Sequence, residues 1–129
     1  MRAIDTNIVI RFLTDDDADQ SRRARDLIVG GDLFVSTTVI LETEWALRTA
    51  YRLPRPAVVR LIETFAGLPG VIVEEPERLS TALDWAASGM DLADALHLAG
   101  ARGCTAFVSF DRALARSAAE VRALPVVEP

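Results

Sequence analysis

The stretch MRAIDTNIVIRFL, residues 1–13, sets an Asp, a Thr and an Asn inside an otherwise apolar run. Ile4 precedes Asp5, and Ile8, Val9, Ile10, Phe12 and Leu13 follow the polar triplet. A carboxylate in apolar surroundings costs on the order of several kcal/mol unless something pairs with it. Residues 2–5 read as a short strand ending at Asp5, and residues 6–14 as a brief helix with Asn7 near its start. The point where a strand hands over to a helix is where open α/β sheets collect their ligands.

Working outward, the same alternation repeats along the chain. Residues 17–31 read as a helix capped by Asp17, with Gln20 three residues on and Gly30-Gly31 to stop it. DLFVS (32–36) is a strand, and residues 37–53 are a long helix ended before Pro54. Residues 54–70 hold another helix, with Val58, Leu61, Ile62 and Phe65 at helical spacing. VIVE (71–74) is a strand, 76–89 a helix with Pro76 in its first turn, and 90–103 a helix closed by Gly103. TAFVSF (105–110), DRALARSAAEV (111–121) and LPVVE (124–128) complete the pattern as strand, helix and strand. The strand cores LFV, VIV and AFV are apolar throughout, which predicts a parallel sheet covered on both faces.

The totals are those of a single domain, residues 1–129, half of it hydrophobic. Charges interrupt every apolar run, so no membrane span is expected, and no secretory signal is read at the start. One cysteine, Cys104, excludes an internal disulfide and a cysteine-based zinc site, and a cytoplasmic protein is expected. The net charge of −5 argues against a generic phosphate-binding surface but is compatible with acids gathered around metal ions. All 14 basic residues are Arg, which rules out chemistry that needs a lysine.

Four acids hold matching places in this scheme. Asp5 ends the first strand, Glu42 lies early in the helix after DLFVS, Asp94 in the first turn of DLADALHLAGARG, and Asp111 just after AFVSF. If strand ends and helix starts share one edge of the sheet, the four carboxylates converge there. Clustered carboxylates repel and raise one another's pKa, and a hard divalent cation such as Mg2+ relieves this with oxygen ligands. The chemistry this predicts is metal-assisted phosphodiester hydrolysis.

DTN after a first strand, then VSTTVILETEW, DLADALHLAGA and VSFDRAL, in that order, resemble a PIN-domain ribonuclease, and more narrowly a VapC-type toxin of a bacterial toxin–antitoxin pair. The resemblance covers nearly the whole chain. It implies a three-layer α/β/α sandwich with a central, mostly parallel sheet. It implies an endoribonuclease dependent on Mg2+ or Mn2+, a homodimer, and inhibition by a cognate antitoxin protein. Carried over residue by residue, the site acids are Asp5, Glu42, Asp94 and Asp111, with Asp5 and Asp94 as direct metal ligands. Thr6, Asn7, Asp91 and Ser109 are candidates to orient carboxylates or phosphate by hydrogen bonds.

Blander readings compete at each position. Asp5 and Asp111 also suit helix caps, and Asp91 suits one better than it suits a ligand. Glu44 rivals Glu42 but is read as solvated or paired with Arg48 at i+4. Asp15, Asp17 and Asp19 alternate like a calcium loop, yet Gln20 and Asp26 stand where that loop needs Gly and Glu. His97, one turn after Asp94, is read as a packed residue, and Trp45 and Trp85 as core or interface. A DNA-directed nuclease and a non-catalytic partner-binding domain are the alternative functions.

Overall fold

Every paired strand of this chain runs parallel to its neighbour, so each step from strand to strand must cross back through helix. The computed structural model describes residues 1–129. In order the elements are β1 (Arg2–Ala3), α1 (Thr6–Thr14), α2 (Ala18–Gly30), β2 (Leu33–Val35), α3 (Thr37–Thr49) and α4 (Arg55–Ala66). They continue with β3 (Val71–Val73), α5 (Pro76–Ala87), α6 (Leu92–Gly100), β4 (Phe107–Val108), α7 (Arg112–Glu120) and β5 (Val126–Val127). The class is α/β, as the alternation of apolar strand cores with amphipathic helices predicts. No helix is long and apolar enough to cross a membrane. The chain forms two compact units, Met1–Pro76 and Glu77–Pro129.

In the first unit the sheet order is β1-β2-β3, and each crossover carries two helices. The middle strand is the driest: Leu33 and Val35 are fully buried. Its carbonyls serve both flanks, since the Ile4 N–H donates to Phe34 O (3.1 Å) and the Glu74 N–H to Val35 O (2.9 Å). On β3, Val71 and Val73 are buried but Ile72 is 51% exposed. Alternate side chains of a strand point to opposite faces, and Ile72 takes the open side of this edge strand.

The helices bury the stripes their sequences spell out. On α3 the buried residues are Ile40, Thr43, Glu44 and Leu47, a helical i, i+3, i+4, i+7 set that includes an acid. On α4 they are Val58, Val59, Ile62 and Phe65, and the Phe65 ring meets Phe12 of α1 with centroids 5.9 Å apart and planes tilted by 53°. Trp45, read from sequence as core or interface, is 59% exposed, because it faces away from the α3 stripe. That helix stops at Thr49, before the 53 expected from sequence, and Arg52 then takes a left-handed backbone with φ 54°.

In the second unit, α5 buries Leu79, Ala82, Leu83 and Ala86, and α6 buries Leu92, Ala95, Leu96, Leu98 and Ala99. The strands β4 and β5 pair with Phe107 opposite Val126 and Val108 opposite Val127. Val108 and Val127 are exposed, so one side of this pair is also open. The α6 helix ends at Gly100; Gly103, expected to close it, instead turns the following loop with φ +91°.

One contact in the first unit leaves no room for a side chain. Gly70 has φ +79°, and a Cβ built on it would lie 2.6 Å from the Cα of Gly31. The same loop gives its Gly70 carbonyl to the Leu33 N–H (2.9 Å), which starts the β2–β3 pairing. Gly70→Ala is therefore expected to destabilise the protein by about 2 kcal/mol or more, from the left-handed backbone and the backbone clash together. Urea unfolding monitored by circular dichroism measures it, and an unchanged midpoint would contradict the close approach.

Candidate active site

Asp5 sits at the handover from β1 to α1 and caps the helix. Its Oδ1 accepts the Asn7 N–H (3.0 Å) and the Ile8 N–H (3.4 Å). Two of the four N–H groups that a helix start leaves unpaired are thereby satisfied, and the helix dipole favours the negative charge. Those bonds fix the carboxylate and engage only one of its oxygens. Thr6 opens the helix half-buried, and Asn7 follows exposed. The penalty posed by the sequence does not arise, because Asp5 itself is exposed while Ile4 before it is buried.

Glu42 and Glu44 part company on α3. Glu42 is exposed in the second turn, and Glu44 is 4% exposed with Arg48 Nε donating to its Oε1 at 2.6 Å. The two positions are about 200° apart around the helix, so they face opposite ways. Glu44 is thus a buried, charge-paired member of the α3 stripe. Glu42 is the acid open to solvent, as a metal or substrate would require.

In the second unit Asp91 caps α6, its Oδ1 accepting the Asp94 N–H at 3.2 Å. Asp94 is half-buried in the first turn of that helix. Asp111 caps α7 through Oδ1 to the Leu114 N–H (3.0 Å), and its own N–H donates to Ser109 Oγ (3.0 Å). Ser109 therefore positions the residue that carries the carboxylate. His97 is exposed and stacks over Phe107 with ring centroids 6.4 Å apart.

Within either unit alone, no three Asp, Glu, His or Cys side chains gather into a metal cage. Two of the four expected site acids come from each unit, Asp5 and Glu42 from the first and Asp94 and Asp111 from the second. The donor chemistry suits a hard divalent cation: all four are carboxylates, and the capping bonds leave Oδ2 of Asp5 and Oδ2 of Asp111 unengaged.

The acidic run after α1 does work that its spacing did not announce. Asp17 caps α2 through Oδ1 to the Gln20 N–H (2.9 Å). The reciprocal half of a capping box is missing, because Gln20 Oε1 instead accepts from Arg11 Nε at 2.7 Å. Arg11 Nη1 also donates to Asp16 Oδ1 (3.1 Å) and approaches the Tyr51 hydroxyl (3.5 Å). Tyr51 in turn donates to Asp16 Oδ2 at 2.6 Å. Asp15 takes a left-handed backbone and pairs with Arg25, while Asp19 pairs with Arg22 and Arg23. The run is a capped, solvated helix start, with Asp17 as the cap, and it also builds a network that pins Arg11. Only Gln20, nine residues from Arg11, carried any sequence signal of it, and Tyr51 is brought in from the far end of α3. Asp5, Asn7, Arg11 and Arg23 line one groove of about 460 Å³ with Ile8 and Leu27.

The Tyr51 and Thr14 hydroxyls, and after them the Arg11 guanidinium, hold the Asp16 carboxyl below its ordinary range. A carboxyl with a depressed folded-state pKa adds stability above the unfolded-state value, about 3.9. That contribution is lost as pH falls through the lower folded-state value. Tyr51→Phe is expected to move the Asp16 titration upward toward the ordinary value, as read by carbon-detected NMR of the side-chain carboxyl. An unmoved titration would show that the Tyr51 hydroxyl does not hold Asp16.

No curated protein matches the chain. A family model described as PIN domain matches residues 3–120, from the end of β1 through the last residue of α7. PIN domains are in general metal-dependent nucleases, in keeping with four carboxylates and no lysine. With nearly its whole length matched, the chain belongs to the PIN domain family.

Proposed function

We propose that this PIN domain is a Mg2+- or Mn2+-dependent endoribonuclease that acts as the toxin of a toxin–antitoxin pair in the cytoplasm. The observation that carries the reading is Asp5, an exposed carboxylate fixed by two backbone N–H groups at a strand end, inside a chain matched to the family from residue 3. By the family resemblance, Asp5 and Asp94 would hold the ion directly, and Glu42 and Asp111 would hold it through water or hold a second one. A divalent ion held by these carboxylates would supply charge stabilisation for the phosphoryl oxygens in an in-line displacement. The caps keep the Asp5 and Asp111 carboxylates in fixed orientations before substrate arrives, so little reorganisation of these two is needed at the reaction. Asn7 through its backbone N–H to Asp5, Asp91 by accepting the Asp94 N–H and Ser109 by accepting the Asp111 N–H support the site acids, and Thr6 stands next to Asp5 as a further candidate.

The partner half of the proposal has its own support. An apolar groove of about 520 Å³ in the first unit is lined by Phe12, Leu13, Leu53, Leu61, Phe65 and Leu68, among others. Together with exposed Trp45 it offers apolar surface of the kind that homodimers and antitoxin segments cover.

Asp94→Asn is the informative variant, because Asp94 is not a cap and its loss leaves the Asp91 cap bond to its backbone N–H in place. In Mg2+ the wild type is expected to cut single-stranded RNA and leave matched DNA intact. The variant should cut roughly 100-fold more slowly or worse, the effect of removing one charge-stabilising group. Equal cleavage by the variant would overturn the metal-site assignment, and preference for DNA would overturn the ribonuclease reading. Sedimentation of the isolated protein is expected to give a dimer, and a monomer would overturn that half of the partner proposal.

A further inference from the structure

The α1–α2 groove holds an arginine that is better restrained than an ordinary surface arginine. Arg11 is a partly covered guanidinium, its side chain 28% exposed, tied by Nε to Gln20 and by Nη1 to Asp16. Tyr51 closes the set by bonding Asp16 from its other side. The bonds engage Nε and Nη1 and leave the two N–H groups of Nη2 for something else. A guanidinium whose rotamer is already locked loses little entropy on gripping a phosphate, and its planar fork suits phosphate better than a flexible ammonium does.

The surroundings fit the same ligand. Arg11 and Arg23 line the groove that also contains Asp5, so two cations face one anion among its lining side chains. Arg23 reaches Asp19 only loosely, at 3.6 Å, and its side chain is 70% exposed. A chain of net charge −5 has no overall positive charge with which to attract a nucleic acid. Phosphate contacts must then come from individual, well-placed arginines. Asp5 and Arg11 are six residues apart, about 9 Å along the α1 axis, so a phosphate at Arg11 lies beside the site acid and not on it.

We propose that this groove is a substrate-binding track, in which Arg11 and Arg23 hold backbone phosphates of a single-stranded RNA flanking the bond that is cut. The inference rests on the ribonuclease reading and adds where the strand lies. Arg11 acts as a binding residue, and Gln20, Asp16 and Tyr51 act through it as positioning residues.

The test measures binding without cleavage. The full chain, freed of metal with chelator, is titrated against a short fluorescent single-stranded RNA over a series of salt concentrations. Three variants are compared: Arg11→Gln, Arg23→Gln, and Arg22→Gln as an exposed neighbour that does not line the groove. Loss of one phosphate contact lowers the steepness of the salt dependence by about 0.7 in single strands. Arg11→Gln and Arg23→Gln are each expected to show that drop with binding about 5- to 10-fold weaker at low salt. Arg22→Gln is expected to match the wild type. Wild-type slopes for the two groove variants, or equal losses in all three, would overturn the track. If Arg11→Gln fails to fold, the Arg23 and Arg22 pair decides the matter alone, since both are surface positions. A wild type that binds no RNA at all would instead bring down the ribonuclease reading on which the track depends.

Discussion

The backbone hydrogen bond from Ile4 to Phe34, 3.1 Å long, fixes the strand end from which Asp5 and the first helix start. The strand β1 is only two residues long, too short to be stable by its own pairing. Ile4 extends its hold by one more bond to the buried middle strand and buries its own side chain, at 8% exposure. The next residue is Asp5, and the one after it begins a helix. The direction of the Asp5 carboxylate thus follows from a backbone bond to a neighbouring strand and two more to the helix start. Leu33 and Val35, fully buried on β2, make that neighbour rigid.

Capping and chemistry are not rivals in such a place. A carboxylate that caps a helix spends one oxygen on backbone N–H groups, as Asp5 does with Asn7 and Ile8 and Asp111 does with Leu114. Each such cap is worth on the order of 1 kcal/mol to the fold. The other oxygen is held still by the same bonds and remains free to bind a cation. The residue types that favour helix starts are therefore also those that a hard metal ion prefers. An acid read as a cap and the same acid read as a ligand make one arrangement and not two.

The acids after α1 divide their labour instead of pooling it. Asp15 turns the backbone, Asp16 pins Arg11, Asp17 caps α2 and Asp19 pairs on its surface. Exposed ion pairs of this kind contribute little to stability individually, about 0–1 kcal/mol. Their value lies in orientation: Gln20 and Asp16 hold a guanidinium beside the groove that contains Asp5.

The class, the order of elements and the family motifs are legible in the chain alone, because alternating apolar cores and amphipathic helices depend on spacing along one chain. The sequence also placed Asp5, Asp17, Asp91 and Asp111 at element boundaries, since caps are set by residues within three positions of one another. It separated Glu42 from Glu44 by motif, and the helical period alone puts the two on opposite faces. Whatever depends on residues far apart in the chain is settled by packing. Glu44 is buried with Arg48 because the packing of α3 covers it, and its charge alone would have placed it in water. Ile72 and Trp45 are exposed because the packing within this chain leaves those faces uncovered, although their hydrophobicity argued for burial. Arg11 is locked because Tyr51, forty residues away, is folded back onto Asp16. Local spacing cannot record which distant side chain will complete a hydrogen-bond network, and here that distant partner, with its neighbours, converts an ordinary arginine into a restrained one.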